Sequence, residues 1–124
     1  MNKQNTRMAT SQDSSTIYFK YSTESGGTAL IPAAEKRHLE VVKILTAIPG
    51  YPIDHVNNPG WTALLEAIIL GKTGEVQVAI VKVLIEAGAD FTIADNDGIT
   101  AIVHAKNKGM DKIVQILTQA GAVN

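Results

Sequence analysis

Apolar residues fall at helical spacing in two kinds of short run, and each kind occurs three times. The first kind follows a Gly-x-Thr opening. Its copies are Gly26-Gly27-Thr28-Ala29-Leu30-Ile31-Pro32-Ala33-Ala34, Gly60-Trp61-Thr62-Ala63-Leu64-Leu65-Glu66-Ala67 and Gly98-Ile99-Thr100-Ala101-Ile102-Val103-His104-Ala105. The second kind is Val41-Val42-Lys43-Ile44-Leu45, then Ile80-Val81-Lys82-Val83-Leu84, then Ile113-Val114-Gln115-Ile116-Leu117. Apolar residues at i, i+1, i+3 and i+4 place one broad greasy face on a helix. The pattern predicts short first helices over residues 29–36, 63–70 and 101–108, and second helices over 39–47, 77–87 and 111–120.

From the opening glycine to the closing leucine the three copies span 19, 24 and 19 residues. The middle copy therefore carries five extra residues between its two runs. The stretch Gly71-Lys72-Thr73-Gly74-Glu75, with its two glycines, is the expected loop that takes them. Thr28, Thr62 and Thr100 stand where a hydroxyl can accept from the free N–H groups of a first turn. Gly88 and Gly121 follow the last turn of a second helix and suit the left-handed position that ends it. Residues 90–97, rich in Asn and Asp, read as an extended stretch and a tight turn. A pair of helices this short cannot cover its own apolar faces, but stacked pairs share one continuous core. The expected architecture is an all-α solenoid of about three stacked helix-turn-helix units with short hairpin-like finger loops, with repeats at about 26–59, 60–97 and 98–124.

Ahead of the repeats, residues 1–15 are polar and without period, and read as a disordered tail. Ile17, Phe19 and Tyr21 alternate with Tyr18 and Lys20, as in a short extended segment over 16–25. That segment sits where an upstream finger ends. It is expected to fold over the open face of the first repeat, or to leave that face for a second copy of the chain.

The Gly-x-Thr-Ala-Leu opening, the His38-Leu39-Glu40-Val41-Val42-Lys43-Ile44-Leu45 block and the Glu86-Ala87-Gly88-Ala89-Asp90 ending resemble ankyrin repeats. The resemblance covers residues 26–124, in three copies in register. The family's Thr-Pro-Leu-His appears here as Thr28-Ala29-Leu30-Ile31, Thr62-Ala63-Leu64-Leu65 and Thr100-Ala101-Ile102-Val103. The missing proline weakens helix initiation a little, and the missing histidine removes a hydrogen-bond network between repeats. Arg37 occupies the place of the family's glycine between helices. The resemblance implies a non-enzymatic protein-protein interaction module that holds a protein partner on its concave face, through finger tips and the exposed ends of the first helices. The matching positions are Glu24, Ser25, Gly27, Glu35 and Lys36 in the first unit. In the second they are Asn58, Pro59, Trp61, Ile69 and Leu70, and in the third Asn96, Asp97, Ile99, Asn107 and Lys108. Trp61, Ile69 and Leu70 form the expected apolar contact patch beside the insertion, because aromatic anchors dominate interfaces. The alternative is a self-associating structural fragment, a homodimer through the N-terminal repeat face or a truncated paralogue of a longer array.

Composition narrows the chemistry. With 11 basic against 12 acidic residues the net charge is -1, which gives no electrostatic reason to expect nucleic acid or an anionic membrane. No cysteine is present, so disulfides, thiol nucleophiles and cysteine-ligated zinc are excluded. No apolar run approaches the ~20 residues of a membrane span, and no apolar core follows the polar N-terminus as in a secretory signal. A cytoplasmic location is the expectation. Gly71-Lys72-Thr73 is not a phosphate loop, because Glu66 stands where the leading glycine belongs. Asp95-Asn96-Asp97-Gly98 is not a calcium loop, because Ile93 and His104 occupy essential ligand positions. His38, His55 and His104 have no metal-binding spacing, and no nucleophile elbow occurs. Neither a cofactor nor a metal is expected.

Overall fold

The computed structural model describes residues 29–72 and 74–123. The tail, the 16–25 segment with its covering or pairing role, Glu24, Ser25, Gly27 and the Thr28 cap lie outside the described residues. Among the described residues six helices follow in order: α1 (Leu30–Glu35), α2 (Leu39–Thr46), α3 (Ala63–Ile69), α4 (Glu75–Glu86), α5 (Ala101–Asn107) and α6 (Asp111–Gln119). No strand occurs among the described residues. Each odd helix packs on the even helix that follows it. Across the repeats, α1 packs on α3 and α3 on α5, while α2 packs on α4 and α4 on α6. Three helix pairs are thus stacked as successive layers.

The repeated apolar runs make the core. Leu30, Leu45, Leu65, Ile68, Ile80, Leu84, Ile113 and Leu117 are all fully buried. Each such side chain contributes about 1.5–3 kcal/mol by leaving water. Ala33, Ala34, Ala63, Ala67, Ala101 and Ala105 are buried on the first helices, where their small side chains let neighbouring helices approach. Gly88 and Gly121 take φ of 100° and 110° as expected. The chain then folds back, so that the N–H groups of Ala89 and Ala122 donate to the Leu84 and Leu117 carbonyls at 3.0 and 2.9 Å.

The threonine caps divide. Thr62 Oγ1 accepts from the Leu65 N–H at 3.2 Å. Thr100 starts α5 with the same extended backbone but makes no cap bond, and its buried hydroxyl has no partner. At the start of α1 the buried Leu30 N–H donates to the Tyr51 hydroxyl at 3.1 Å, so a side chain from the following linker serves one of the helix's free donors.

The middle repeat departs from the expected boundaries. Its second helix begins at Glu75, two residues earlier than the apolar run alone suggests, after Gly74 at φ 133°. The connection Lys36-Arg37-His38 closes the first pair and Lys108-Gly109-Met110 the third, whereas residues 70–74 connect α3 to α4. The insertion is therefore shared between a longer connection and about one extra helical turn. In the first and third repeats the residue that opens the second helix donates its backbone N–H to an alanine carbonyl: His38 to Ala33 and Met110 to Ala105, both at 2.9 Å. Gln77 stands at the same register in the middle repeat. Its side-chain Nε2 donates to the equivalent Ala67 carbonyl at 2.7 Å and also to Ala34 of the preceding repeat at 3.3 Å. Gly71 makes room for this: a Cβ there would lie 2.0 Å from the Ala67 carbonyl oxygen and 2.2 Å from Gln77 Nε2.

Candidate functional site

The face of interest is bounded by two fingers and by the ends of the first helices. Each finger is a tight turn closed by backbone. The Asn57 N–H donates to the Trp61 carbonyl and the Gly60 N–H to the Asn57 carbonyl; Asp95, Ile99 and Gly98 repeat both bonds one layer on. The residue at each finger base also accepts with its own side chain. Asn57 Oδ1 accepts from the Trp61 N–H at 2.9 Å. Asp95 Oδ1 accepts from the N–H groups of Asp97 and Ile99, both at 2.9 Å.

The same two base residues latch each finger to its first helix, with opposite chemistry. Asn57 Nδ2 donates to Glu66 Oε2 at 3.3 Å on α3. Asp95 Oδ2 lies 2.7 Å from His104 Nε2 on α5. Glu66 and His104 occupy one register, four residues after Thr62 and Thr100. Burial holds the Glu66 carboxyl above the ordinary glutamate range; the Asn57 bond opposes this, and the charge of Glu35 adds to it. The Ile99 N–H, the His104 ring and the Asp97 N–H hold Asp95 below the usual carboxylate range. His104 is thus a finger latch, a structural role that its place on a helix only partly suggests.

The expected contact residues sort into free and engaged groups. Leu70 is 49% exposed at the end of α3, while Trp61 and Ile69 are half-buried and pack against the core. Asn58, Pro59, Asp97, Lys36 and Asn107 are exposed, and Glu35 and Ile99 are half-buried. Asn96 is exposed but engaged: its Nδ2 donates to the Pro59 carbonyl at 3.1 Å and ties one finger tip to the next. Gly60 sits under that amide, where a Cβ would come within 2.5 Å of it. Lys108 is engaged as well. Its Nζ donates to the carbonyls of Ile68 and Ile69, both at 2.7 Å, at the C-terminal end of α3 where a cation is favoured. Asp54 Oδ1 accepts from the Asp90 N–H at 2.9 Å and makes a further tie between linkers. These side chains, with Gln77, supply the inter-repeat hydrogen bonds that the absent histidines leave open. The register places Glu35, Ile69 and Asn107 in one row across the array and Lys36, Leu70 and Lys108 in the next.

Among the described residues no group of three or more His, Asp or Glu side chains could hold a metal ion. No described helix is long and apolar enough to cross a membrane. A shallow cleft of about 400 Å³ opens between the N-terminal ends of α4 and α6, over Val78, Met110 and Ile113. Its lining includes none of the finger-latch residues.

The family model for ankyrin repeats, in three copies, matches residues 9–95. This chain belongs to the ankyrin-repeat family. The match begins ahead of the Gly26 repeat, and the third helix pair, beyond it, is seen directly in α5 and α6. The putative ankyrin repeat protein YahD of Escherichia coli K12 is 44% identical over 100 residues, which are 81% of this chain and 50% of YahD. The human SMC5-SMC6 complex localization factor protein 1 is 31% identical over 77% of this chain and 9% of its own length. An ankyrin repeat domain of Acinetobacter baumannii AYE superposes with a TM-score of 0.77 at 52% identity, covering 80% of this chain and 50% of that one. The ankyrin repeat protein EF0377 gives 0.75 at 46% identity, over 78% and 49%. The chain thus spans about half the length of the bacterial relatives it matches. Ankyrin repeats as a family mediate protein-protein interaction and are typically not enzymes.

Proposed function

We propose that this ankyrin array holds a protein partner on the concave face between its fingers and its first helices, without covalent chemistry. The observation that carries the reading is the division of labour among surface residues. Asn57, Asp95, Asn96, His104 and Lys108 are spent on fixing the fingers and helix ends. Leu70, Asn58, Asp97 and Asn107 are left exposed on the surface so fixed. A rigid scaffold spares the cost of ordering its backbone on binding, and its exposed side chains are left to make the contacts. Trp61, Ile69 and Leu70 supply the apolar part of the contact, Leu70 as the most exposed of the three. Glu35, Lys36, Ile99 and the finger tips supply its rim. The cytoplasm of the source cell is the proposed site of action.

Affinity capture from source-cell lysate tests this reading. The wild-type chain is expected to retain a protein that the Leu70→Glu variant loses, with helical content unchanged by circular dichroism. Retention of the same proteins by both forms rules the surface out. Sedimentation of the two forms separates partner capture from self-association: a dimer that Leu70→Glu leaves intact, with no captured partner, favours a structural homodimer instead.

A further inference from the structure

The near-zero net charge hides a segregation that the fold turns into geometry. Residues 44–71 and 83–105 hold the linkers and fingers. They carry six carboxylates, Asp54, Glu66, Glu86, Asp90, Asp95 and Asp97, and no Lys or Arg. All eight Lys and Arg side chains of the described residues lie outside those stretches, against four carboxylates, Glu35, Glu40, Glu75 and Asp111. Lys36, Arg37, Lys72, Lys106, Lys108 and Lys112 stand on the helix-to-helix connections or within two residues of them, and all six are exposed. Each connection lies at the end of its helix pair opposite the finger, because a first helix starts at a finger base and runs away from it. Side chains tie neighbouring connections together: Gln77 reaches Ala34, and Lys108 reaches Ile68 and Ile69. The array thus has an acidic finger end and a basic connection end.

The cleft of about 400 Å³ lies at the basic end. Val78, Met110 and Ile113 give it an apolar floor, and Glu75, Asp111 and Lys112 are the charged groups of its lining. Glu75 and Asp111 stand in the first turns of α4 and α6, where the helix ends offset part of their charge. The two segments that line the cleft, 72–78 and 106–113, carry four lysines against these two carboxylates. The first connection adds Arg37, which holds φ 64° where the third connection has Gly109 at φ 69°. A cation is thus kept on this edge against backbone strain, as happens where function uses the residue.

We propose that the connection edge is a second docking surface, which takes an acidic segment of a partner protein with one apolar side chain seated in the cleft. The charge of the occupant follows from the two ends of the array: a segment rich in carboxylates is drawn to this edge and repelled by the fingers. Its apolar residue follows from the floor of Val78, Met110 and Ile113. Successive layers stand roughly 10 Å apart, which is about three residues of extended chain, so carboxylates at every third position meet one connection each. The surface goes beyond the concave-face reading. The cleft lining shares no residue with that face, so either surface stands without the other.

The test is an NMR titration of the full chain at low ionic strength with acetyl-Glu-Ser-Leu-Glu-Ser-Ser-Glu-amide. Saturable shifts of the Val78, Met110 and Ile113 methyl signals are expected, with the finger signals unmoved. Replacing the leucine by serine should weaken binding at least about tenfold, equivalent to about 1.4 kcal/mol. Replacing the glutamates by lysines should abolish the response at the cleft. Lys72→Glu and Lys112→Glu should each weaken the acidic peptide about threefold or more. Lys43→Glu, the same charge change in the middle of α2, should leave it unchanged, and circular dichroism should show all three variants folded. Equal response to the serine or lysine peptide, shifts confined to the fingers, no response, or an equal loss in Lys43→Glu overturns the proposal. So does an oligothymidylate that moves the same signals as strongly, which makes the edge a surface for a phosphate backbone.

Discussion

The second and third repeats place the same residues in the same register and close their helix pairs by different means. In the third, a three-residue connection turns the chain so tightly that the backbone of Met110 reaches the Ala105 carbonyl. In the second, a longer connection carries the backbone away, and a side chain reaches back in its place. Gln77 Nε2 donates to Ala67 and extends to Ala34 in the repeat before. The lesson is that a repeat conserves the satisfied acceptor, not the donor that satisfies it. A buried carbonyl without a partner costs about 1–3 kcal/mol whichever repeat it lies in, so an insertion is tolerated once something else supplies the hydrogen. The substitute also does more than the original, because a side chain can bridge two layers where a backbone N–H serves one.

The most damaging way to break this difference is at Gly71. Gly71→Ala puts a methyl 2.0 Å from the backbone oxygen of Ala67 and 2.2 Å from Gln77 Nε2. Backbone and amide must both move, and a fully buried residue such as Gln77 has little space to move into. The expected loss is about 2–4 kcal/mol, read as a fall in the denaturant midpoint. The same substitution at Gly109, the turn glycine of the third repeat, meets nothing within 4 Å and is strained only by its φ of 69°; it should cost about 1 kcal/mol. Equal losses at the two sites would mean that the amide bridge is not what Gly71 protects.

Next in size is the bridge itself. Gln77→Met installs the residue found at this register in the third repeat, with similar volume and no donor. Two buried carbonyls lose a hydrogen bond, although the Gln77 Oε1 that has no partner is removed as well. The net cost should be about 1–3 kcal/mol. Hydrogen exchange should also show faster opening of α1 and α2 relative to α5 and α6, since the bond to Ala34 ties the first repeat to the second. A uniform change across all six helices would locate the effect elsewhere.

A smaller contrast separates the two threonines. Thr62→Val removes a hydroxyl that caps α3 and should cost about 1 kcal/mol. Thr100→Val removes a buried hydroxyl without a partner and should leave the thermal midpoint unchanged or raise it slightly. The identical Gly-x-Thr-Ala pattern in the two copies hides this difference. The repeat was legible in the sequence because apolar spacing and glycine positions are local: the first helices of the second and third units begin where the pattern sets them, at Ala63 and Ala101. The early start of α4 was not, because the five extra residues, Gly71 and Gly74 among them, read as loop, while Gly74 takes a conformation that lets Glu75 and Val76 join the helix.

The candidate surface was legible in a narrower sense. Register alone places Glu35, Ile69 and Asn107 in one row, and Leu70 and Lys108 in the next. It does not separate the exposed Leu70 from Lys108, whose ammonium sits on carbonyls 40 and 39 residues earlier in the chain. Nor does it reveal that Asn96 holds Pro59 across 37 residues. Such contacts depend on which finger lies beside which, and only the stacked layers supply that. The latch residues Asn57, Glu66 and Asp95 were missed for the same reason, although one signal was present: polar residues at one position of two aligned copies, in an otherwise apolar run.

The smallest expected effect concerns the connections in the first and third repeats, which are equal in length but not in fit. Both place their middle residue in the left-handed region, Arg37 at φ 64° and Gly109 at φ 69°. Glycine visits that region freely, whereas a side chain at Cβ crowds the following carbonyl. Arg37 is exposed, and no hydrogen bond or ion pair of its side chain offsets the strain among the described residues. Arg37→Gly therefore relieves about 1 kcal/mol of strain in the folded chain, while the freer unfolded chain gives part of it back. A net gain of about 0.5 kcal/mol is expected, measured as a higher urea midpoint with an unchanged slope. The reverse exchange, Gly109→Arg, should cost about 0.5–1 kcal/mol, as Gly109→Ala does, if the two turns are equivalent. A loss of stability in Arg37→Gly would show that the arginine stem covers apolar surface at the end of α1, and that the first connection is held by its side chain where the third is held by its backbone.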